Sequence, residues 1–257
     1  MAYSENWLLR KARRFLDQTE DPIMVPYIFK KYQNKAFYNQ TFGRDIEVFN
    51  RHLFPDKGAV LVGPTHWHEE DGEMVLYSIS PRPTYVMAKS ELWTPEDENI
   101  GYLLQLMGAI RLERSGSPQI KAFRAAGKVL DAGGVVTVFP EGTRIEGPVR
   151  GEAHAGIGFL AVKHGVPIAP LGLARVSFNC PEDAIEDTVP VHTTVFGELV
   201  RPDPSLGFKD AVSDIMQRYT VVRDEVQQLA YEDAAHRAKE YEEIYADGWN
   251  IWGAAYE

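Results

Sequence analysis

The stretch "GAVLVGPTHWHEEDGEMVLYSISP", residues 58–81, contains the pattern that decides the fold class. Its first six residues are a short apolar run, which is typical of a strand buried on both faces. Pro64 ends this strand and begins a polar loop, and residues 72–80 predict a helix that stops before Pro81. A buried strand that leads through a polar loop into a helix is the repeating unit of an α/β sheet.

The same alternation of strand and helix continues along the chain. Further strands are predicted at residues 84–88, 109–113, 133–139, 166–174 and 191–199, and helices at residues 96–107, 117–132 and 154–164. We therefore predict an α/β fold with a mixed, largely parallel sheet flanked by helices and joined by right-handed crossovers. Three parts of the chain are expected: a basic amphipathic helical segment at 1–50, an α/β core at 51–204, and a helical C-terminal extension of the same domain at 205–257.

Composition excludes several classes of function. The chain has 257 residues, 44% of them hydrophobic, and a formal net charge of −10, which argues against nucleic-acid binding through a broad basic surface. The single cysteine, Cys180, excludes an intrachain disulfide and a cysteine-based zinc cluster, and it favours a reducing interior. The sequence contains no secretory h-region and no run of about 18 apolar residues, so we expect a cytoplasmic chain that does not cross a membrane.

The N-terminal segment has the opposite charge from the rest of the chain. Residues 7–16 predict a helix with an apolar face opposite three arginines, and residues 1–44 carry eight basic and four acidic side chains, a net charge of +4. Cationic amphipathic segments of this kind rest on anionic bilayer surfaces, which would place the protein at the inner face of the membrane. The alternative is a helix that packs on the core and exposes its basic face to water.

The polar loop after the first strand holds the first candidate site. His66 and His68 have a spacing that zinc sites use, but the remaining histidines lack ligand spacing, so no metal is predicted here. His66 and Asp71 are five residues apart, which within one helix would place them about 140° apart on its surface. They can therefore meet only across a loop-to-helix junction, which this loop supplies. An imidazole held by a carboxylate at one nitrogen can accept a proton at the other, which makes His66 a candidate general base.

A second candidate site is "VFPEGTR", residues 138–144, which also follows a predicted strand. Loops that leave the carboxyl ends of parallel strands share one crevice, so this turn and the histidine loop can converge. Arg144 is suited to binding a phosphate, and Glu141 is suited to accepting hydrogen bonds from a hydroxyl or from Arg144. The alternative is an ordinary surface turn.

Two more stretches complete a set of four blocks, "GAIRLER" at residues 108–114 and "VPIAPLGL" at residues 166–173. In this order and spacing the blocks resemble those of the glycerolipid acyltransferase family: His-x-x-x-x-Asp, a Gly-x-x-x-Ile-x-Arg-like block, Phe-Pro-Glu-Gly-Thr-Arg and a Val-Pro-Ile-x-Pro strand. "AKSELW", residues 88–93, resembles the segment that the family places between its first two blocks. The resemblance covers residues 58–175. The sequence departs from the family at Thr65 and His68, where Asn and Ser or Thr are usual.

The resemblance implies an O-acyltransferase that moves a fatty acyl group from acyl-CoA or acyl carrier protein to a lysophospholipid hydroxyl. The first candidate acceptor is 1-acyl-glycerol-3-phosphate, and no cofactor is implied. His66 would act as the base, Asp71 would orient it, and Lys89, Arg114 and Arg144 would bind the acceptor phosphate in a pocket shaped by Glu141, Gly142 and Thr143. The alternatives are another acceptor, such as glycerol-3-phosphate, another lysophospholipid or a specialised metabolite, and a zinc hydrolase built on His66 and His68. The sequence does not indicate the oligomeric state.

Overall fold

A computed structural model describes residues 46–68, 70–92, 104, 108–113, 117–145, 150–179 and 188–246 of the chain. The strands in this part are β1 (Ile46–Phe49), β2 (Val60–Pro64), β3 (Thr84–Lys89), β4 (Ile110–Leu112), β5 (Val135–Thr137), β6 (Ile168–Asn179) and β7 (Thr188–Phe196). The α-helices are α1 (Asp71–Ile79), α2 (Ser117–Asp131), α3 (Gly156–His164) and α4 (Phe208–Ala246), and short 3₁₀ helices lie at Arg51–Leu53 and Ser90–Leu92. Among the described residues, none of the helices combines the length and the hydrophobicity that a membrane span requires.

The strands form one sheet in the order β1-β7-β6-β2-β5-β3-β4. Every neighbouring pair is parallel except β6 and β7, which are antiparallel. The five strands from β6 to β4 therefore run in the same direction and end at the same edge of the sheet. The loops that follow β2 and β5 and the end of β3 all lie at this edge, which we call the carboxyl edge.

β2 lies in the middle of the sheet and is buried on both faces. Val60 and Val62 pack with α1 on one face, while Leu61 packs with α2, α3 and the first half of α4 on the other. All five residues of β2 are buried. The continuous apolar run in the sequence reflects this position, because a strand covered by helices on both faces has no polar side.

α4 is the longest described element, with 39 residues, which corresponds to about 58 Å of helix. It packs across β6 and β7, and its backbone approaches the sheet closely at Gly172. A Cβ atom at residue 172 would lie 2.2 Å from the carbonyl oxygen of Val226, so only glycine allows this approach.

The predicted fold class is confirmed, and the differences concern one strand that was not predicted and the bounds of single elements. β6 continues to Asn179, beyond the predicted end at residue 174, because it pairs along its whole length with β7. β1 was not predicted, and it lies inside the segment 1–50 that was expected to be helical. The predicted helix at 7–16 lies outside the described residues, as does the helix at 96–107 except for Leu104. The division into three parts stays a prediction.

Candidate active site

The carboxyl edge brings together two of the sequence blocks. β2 and β5 are adjacent and parallel, so the loop after β2 and the turn after β5 leave the sheet side by side. Ile145, just beyond the turn, donates its backbone N–H to the carbonyl oxygen of His66 at 2.8 Å. The rings of His66 and Phe139 pack with their centroids 4.4 Å apart. The predicted convergence of the two blocks is thus present in the structure.

His66 and Asp71 form a hydrogen-bonded pair across the junction between the loop and α1. The Nδ1 atom of His66 lies 2.8 Å from the Oδ2 atom of Asp71. The same carboxylate oxygen accepts the backbone N–H groups of Trp67 at 2.5 Å and His68 at 2.9 Å. Asp71 is the first residue of α1, where the helix dipole also favours a negative charge. The loop is therefore wound around this carboxylate, which fixes the position of the imidazole.

The two members of the pair differ in their exposure to solvent. The side chain of Asp71 is 1% exposed, whereas that of His66 is 24% exposed. Because a carboxylate can only accept hydrogen bonds, Nδ1 of His66 carries the proton of the shared bond. The neutral imidazole then presents Nε2 as an acceptor, and a bound hydroxyl can transfer its proton to that atom.

A buried ion pair forms hydrogen bonds with the backbone of His66. Glu141 and Arg150 have fully buried side chains, with 3.6 Å between Oε2 of Glu141 and Nη1 of Arg150. Glu141 accepts the backbone N–H of His66 at 3.4 Å, and Arg150 donates to the carbonyl oxygen of His66 at 3.3 Å and to that of Ile145. Burial raises the pKa of the Glu141 carboxyl, and the charges of Arg150 and Arg223 oppose that rise. The pair thus holds the base-bearing loop against the turn.

Sequence reasoning did not single out Arg150. The structure gives Glu141 this partner, whereas the sequence suggested a hydroxyl or Arg144, and Arg144 is exposed on the turn. Arg150 lies outside the recognisable block, and the only local signal was an additional arginine six residues further along the chain.

α4 supports the same loop from the other side. The hydroxyl of Thr65 donates to Oε1 of Gln227, and the backbone N–H of Leu173 donates to Oγ1 of Thr65 at 2.9 Å and to Oε1 of Gln227 at 3.2 Å. The buried hydroxyl of Tyr219 donates to the carbonyl oxygen of Gly63 at 3.2 Å. Thr65, where the family usually has Asn, therefore joins the end of β2 to α4 in this chain.

A second polar cluster adjoins the pair at the start of α1. Oε2 of Glu70 lies 3.1 Å from Nε2 of His192, 3.2 Å from Nε of Arg175 and 3.8 Å from Nδ1 of His68. Burial lowers the pKa of His192, and the hydrogen bond to Glu70 opposes that change. Glu70 thus ties the first turn of α1 to β6 and β7. Apart from the run of charged residues after His66, no local pattern indicated this cluster.

The remaining predicted residues lie along the same edge or outside the described part. Lys89 is the exposed last residue of β3, two strands from β2. Gly142 adopts a φ of 66°, which glycine tolerates, and this conformation closes the turn with a hydrogen bond from its N–H to the carbonyl of Phe139 at 3.2 Å. Thr143 and Arg144 are exposed on that turn. Arg114 lies outside the described residues, two positions after the end of β4.

The described histidines and acids show no arrangement suited to a metal. Among the residues that the structure describes, no three His, Cys, Asp or Glu side chains converge as a possible metal site. His66 directs Nδ1 to Asp71, and Nδ1 of His68 lies on the side of Glu70.

Comparisons with known proteins identify the family and the fold of the chain. The sequence model of the family described as Acyltransferase matches residues 45–174. Among solved structures, the crystal structure of the 1-acyl-sn-glycerophosphate (LPA) acyltransferase, PlsC, from Thermotoga maritima is similar to this chain with a TM-score of 0.58 and 21% sequence identity. The similarity covers 87% of this chain and 95% of that one. No curated protein matches the chain.

Proposed function

The chain belongs to the acyltransferase family, and from that premise we propose that it transfers a fatty acyl group from a thioester donor to the hydroxyl of a lysophospholipid. The donor is acyl-CoA or acyl carrier protein, and the first candidate acceptor is 1-acyl-glycerol-3-phosphate. The observation that carries the proposal is the 2.8 Å bond between His66 and a buried Asp71, which leaves one imidazole nitrogen available at the carboxyl edge. This arrangement suits a general base.

In the proposed mechanism the acceptor hydroxyl attacks the thioester carbonyl directly. Nε2 of His66 takes the hydroxyl proton as the new carbon–oxygen bond forms, and Asp71 stabilises the imidazolium. When the carbon–sulfur bond breaks, the imidazolium returns the proton to the leaving thiolate. General-base catalysis of this kind contributes roughly 10²- to 10⁴-fold in rate. No acyl-enzyme is required.

Binding of the acceptor phosphate is assigned to cationic side chains at the carboxyl edge. Lys89 ends β3 and Arg144 lies on the turn beside His66, and both side chains are exposed. Arg114, which follows β4, is the third member of this proposal. An arginine fork and a lysine ammonium bind phosphate through charge-assisted hydrogen bonds. Glu141, Gly142 and Thr143 would shape the turn that presents Arg144.

We further propose that the reaction takes place at the inner face of the membrane, because a lysophospholipid acceptor resides there. The cationic amphipathic residues 7–16 support this location through their composition.

The experiment is a thiol-release assay with long-chain acyl-CoA or acyl carrier protein as donor. The acceptors are a panel of lysophospholipids together with glycerol-3-phosphate. We expect the highest turnover with 1-acyl-glycerol-3-phosphate. A preference for a different acceptor would support acyl transfer but assign another substrate to the enzyme. Thiol release without any acylated acceptor would indicate a hydrolase and contradict the proposal.

The mechanism is tested separately by His66→Ala, with His52→Ala as the matched control. His52 is an exposed histidine in a short 3₁₀ helix away from the carboxyl edge. His66→Ala should abolish acyl transfer and leave the Tm of the protein unchanged, while His52→Ala should retain full activity. Near-wild-type turnover in folded His66→Ala would show that the mechanism is wrong.

A further inference from the structure

An open groove lies on the outer side of the helical layer, between α2, α3 and the first turn of α4. Its volume is about 630 Å³. We call it the basic aromatic groove, and eleven residues line it: Gln119, Ile120, Phe123, Arg124, Ala155, Gly156, Phe159, Lys163, Phe208, Lys209 and Val212.

Aromatic and aliphatic side chains form the body of the groove and project from its rim. Phe159 packs edge-on against Phe123 at 5.9 Å and against Phe208 at 5.5 Å between ring centroids. Ile120 is 55% exposed and Phe208 is 50% exposed. Large apolar side chains that project this far, and that neighbour one another, indicate a surface used for contact.

The charged residues of the groove all have the same sign. Arg124, Lys163 and Lys209 line it and are exposed, and no acidic residue is among its lining residues. Lys163 also places its ammonium 5.6 Å from the centre of the Phe159 ring. In a chain of net charge −10, a concentration of cations around partly buried and exposed phenylalanines is complementary to an anionic partner.

The groove begins next to the turn that carries the third sequence block. Ala155 and Gly156 line the groove and directly follow His154, whose backbone N–H donates to the carbonyl oxygen of Pro140 at 2.8 Å. α3 starts at this point, after the loop that leaves the carboxyl end of β5. A partner in the groove would therefore lie beside the candidate active site.

We propose that the basic aromatic groove docks on an anionic bilayer surface, with Ile120 and Phe208 inserted among the lipids and Arg124, Lys163 and Lys209 on the lipid phosphates. This inference rests on the proposed function, because a membrane-resident acceptor gives the docking its purpose. Lysine and arginine suit such a boundary, since their alkyl stems lie along apolar surface while their charged ends reach the phosphates.

Charge argues against the N-terminal segment of this chain as the occupant. Residues 1–44 have a net charge of +4, so the cations of the groove would repel them. An acidic protein surface would pair with the cations of the groove. It would not provide the apolar layer into which the projecting side chains of Ile120 and Phe208 can insert.

The test is sedimentation of the full chain with vesicles of phosphatidylcholine alone and of phosphatidylcholine with 30% phosphatidylglycerol. The groove variants are Ile120→Ser with Phe208→Ser, and Lys163→Gln with Lys209→Gln. The matched control is Val221→Ser with Leu229→Ser, because these two side chains on α4 are 65% and 46% exposed and lie outside the groove.

We expect the wild type and the control to bind the anionic vesicles equally. Loss of two surface cations should lower the partition coefficient on the order of 30-fold, and loss of the two apolar side chains about tenfold or more. Anionic-vesicle binding by both groove variants at the wild-type level would overturn the proposal.

Activity in two formats separates this inference from the proposed function. With a short-chain acceptor dispersed as monomers, the groove variants should keep the wild-type rate, and with the acceptor embedded in vesicles they should lose most of it. Absence of transfer by the wild type in both formats would refute the proposed function. The vesicle-binding experiment would still decide whether the groove docks on an anionic bilayer.

Two other outcomes would assign the groove to a different partner. Groove variants that bind vesicles normally but lose turnover only with acyl carrier protein as donor would identify an acidic protein. A change from dimer to monomer in light scattering, without a change in vesicle binding, would identify a second copy of the chain. Each of these results overturns the bilayer assignment.

Discussion

Replacement of Arg150 by methionine tests whether the buried ion pair holds the histidine loop in place. Methionine keeps much of the apolar stem and removes the charge, so the fully buried side chain of Glu141 would lose its buried cation. Breaking a buried pair in this way costs about 3–5 kcal/mol. For a chain of 257 residues that loss corresponds to a decrease of roughly 6–20 °C in Tm.

The pH dependence of this loss has a definite sign. Burial already raises the pKa of Glu141, and removal of the Arg150 charge should raise it further. An acid whose pKa is higher in the folded state than in the unfolded state binds protons more readily when folded, so the variant gains stability as the pH falls. The destabilisation should therefore be largest above the folded-state pKa of Glu141 and smaller in acid.

Urea unfolding at pH 5 and pH 8 measures both quantities, and a double-mutant cycle isolates the pair. Adding Glu141→Gln to Arg150→Met removes the unpaired charge and should recover about 2 kcal/mol or more. The control is Arg218→Met, which breaks an exposed pair with Asp214 and should cost less than about 1 kcal/mol.

Two results would refute this reasoning. One is an Arg150→Met variant within about 1 kcal/mol of the wild type at pH 8, which is the cost expected for an exposed pair. The other is a double variant less stable than Arg150→Met alone. Either result would mean that Glu141 does not depend on Arg150 for its charge.

Three further predictions concern the site and its supports. Asp71→Asn should lower kcat by roughly 10²- to 10⁴-fold in the thiol-release assay, because the amide no longer stabilises the imidazolium; a kcat within twofold of the wild type would contradict the assigned role. Because the pKa of the buried His192 is lowered, the free energy of unfolding of the wild type should decrease as the pH falls below about 6.5. In urea unfolding, His192→Gln should reduce that decrease. Replacement of the exposed His236 by glutamine is the control and should leave the decrease unchanged. Gly172→Ala should strongly lower the urea midpoint, whereas Gly72→Ala, where a Cβ meets nothing within 4 Å, should raise it slightly.

The sequence predicted the parts of the fold and site that depend on neighbouring residues. β2 and α1 were recognisable because an apolar run, Pro64 and Pro81 mark their limits within a short stretch. The meeting of His66 with Asp71 followed from the same stretch, since five residues can bring the two together only at a junction between loop and helix.

The contacts that escaped prediction join distant parts of the chain. Thr65 and Gln227 are separated by 162 positions, and no local pattern indicates which residue of a long helix will face a given loop. β1 has four residues with alternating exposure, a signal too short to distinguish a strand from a loop. Arg150 was missed because its partner is determined by the path of the chain after the turn, not by spacing.

The contact of α4 with the end of β2 has a consequence for biosynthesis. A ribosome adds roughly 5–20 residues each second, so the interval between the synthesis of Thr65 and that of Gln227 is roughly 8–30 s. Until Gln227 has been made, the apolar strip that α4 later covers, including Leu61 and Gly63, lacks that cover. Chaperone binding to the emerging chain should therefore persist until α4 has left the exit tunnel, and catalytic competence should arise only after that moment.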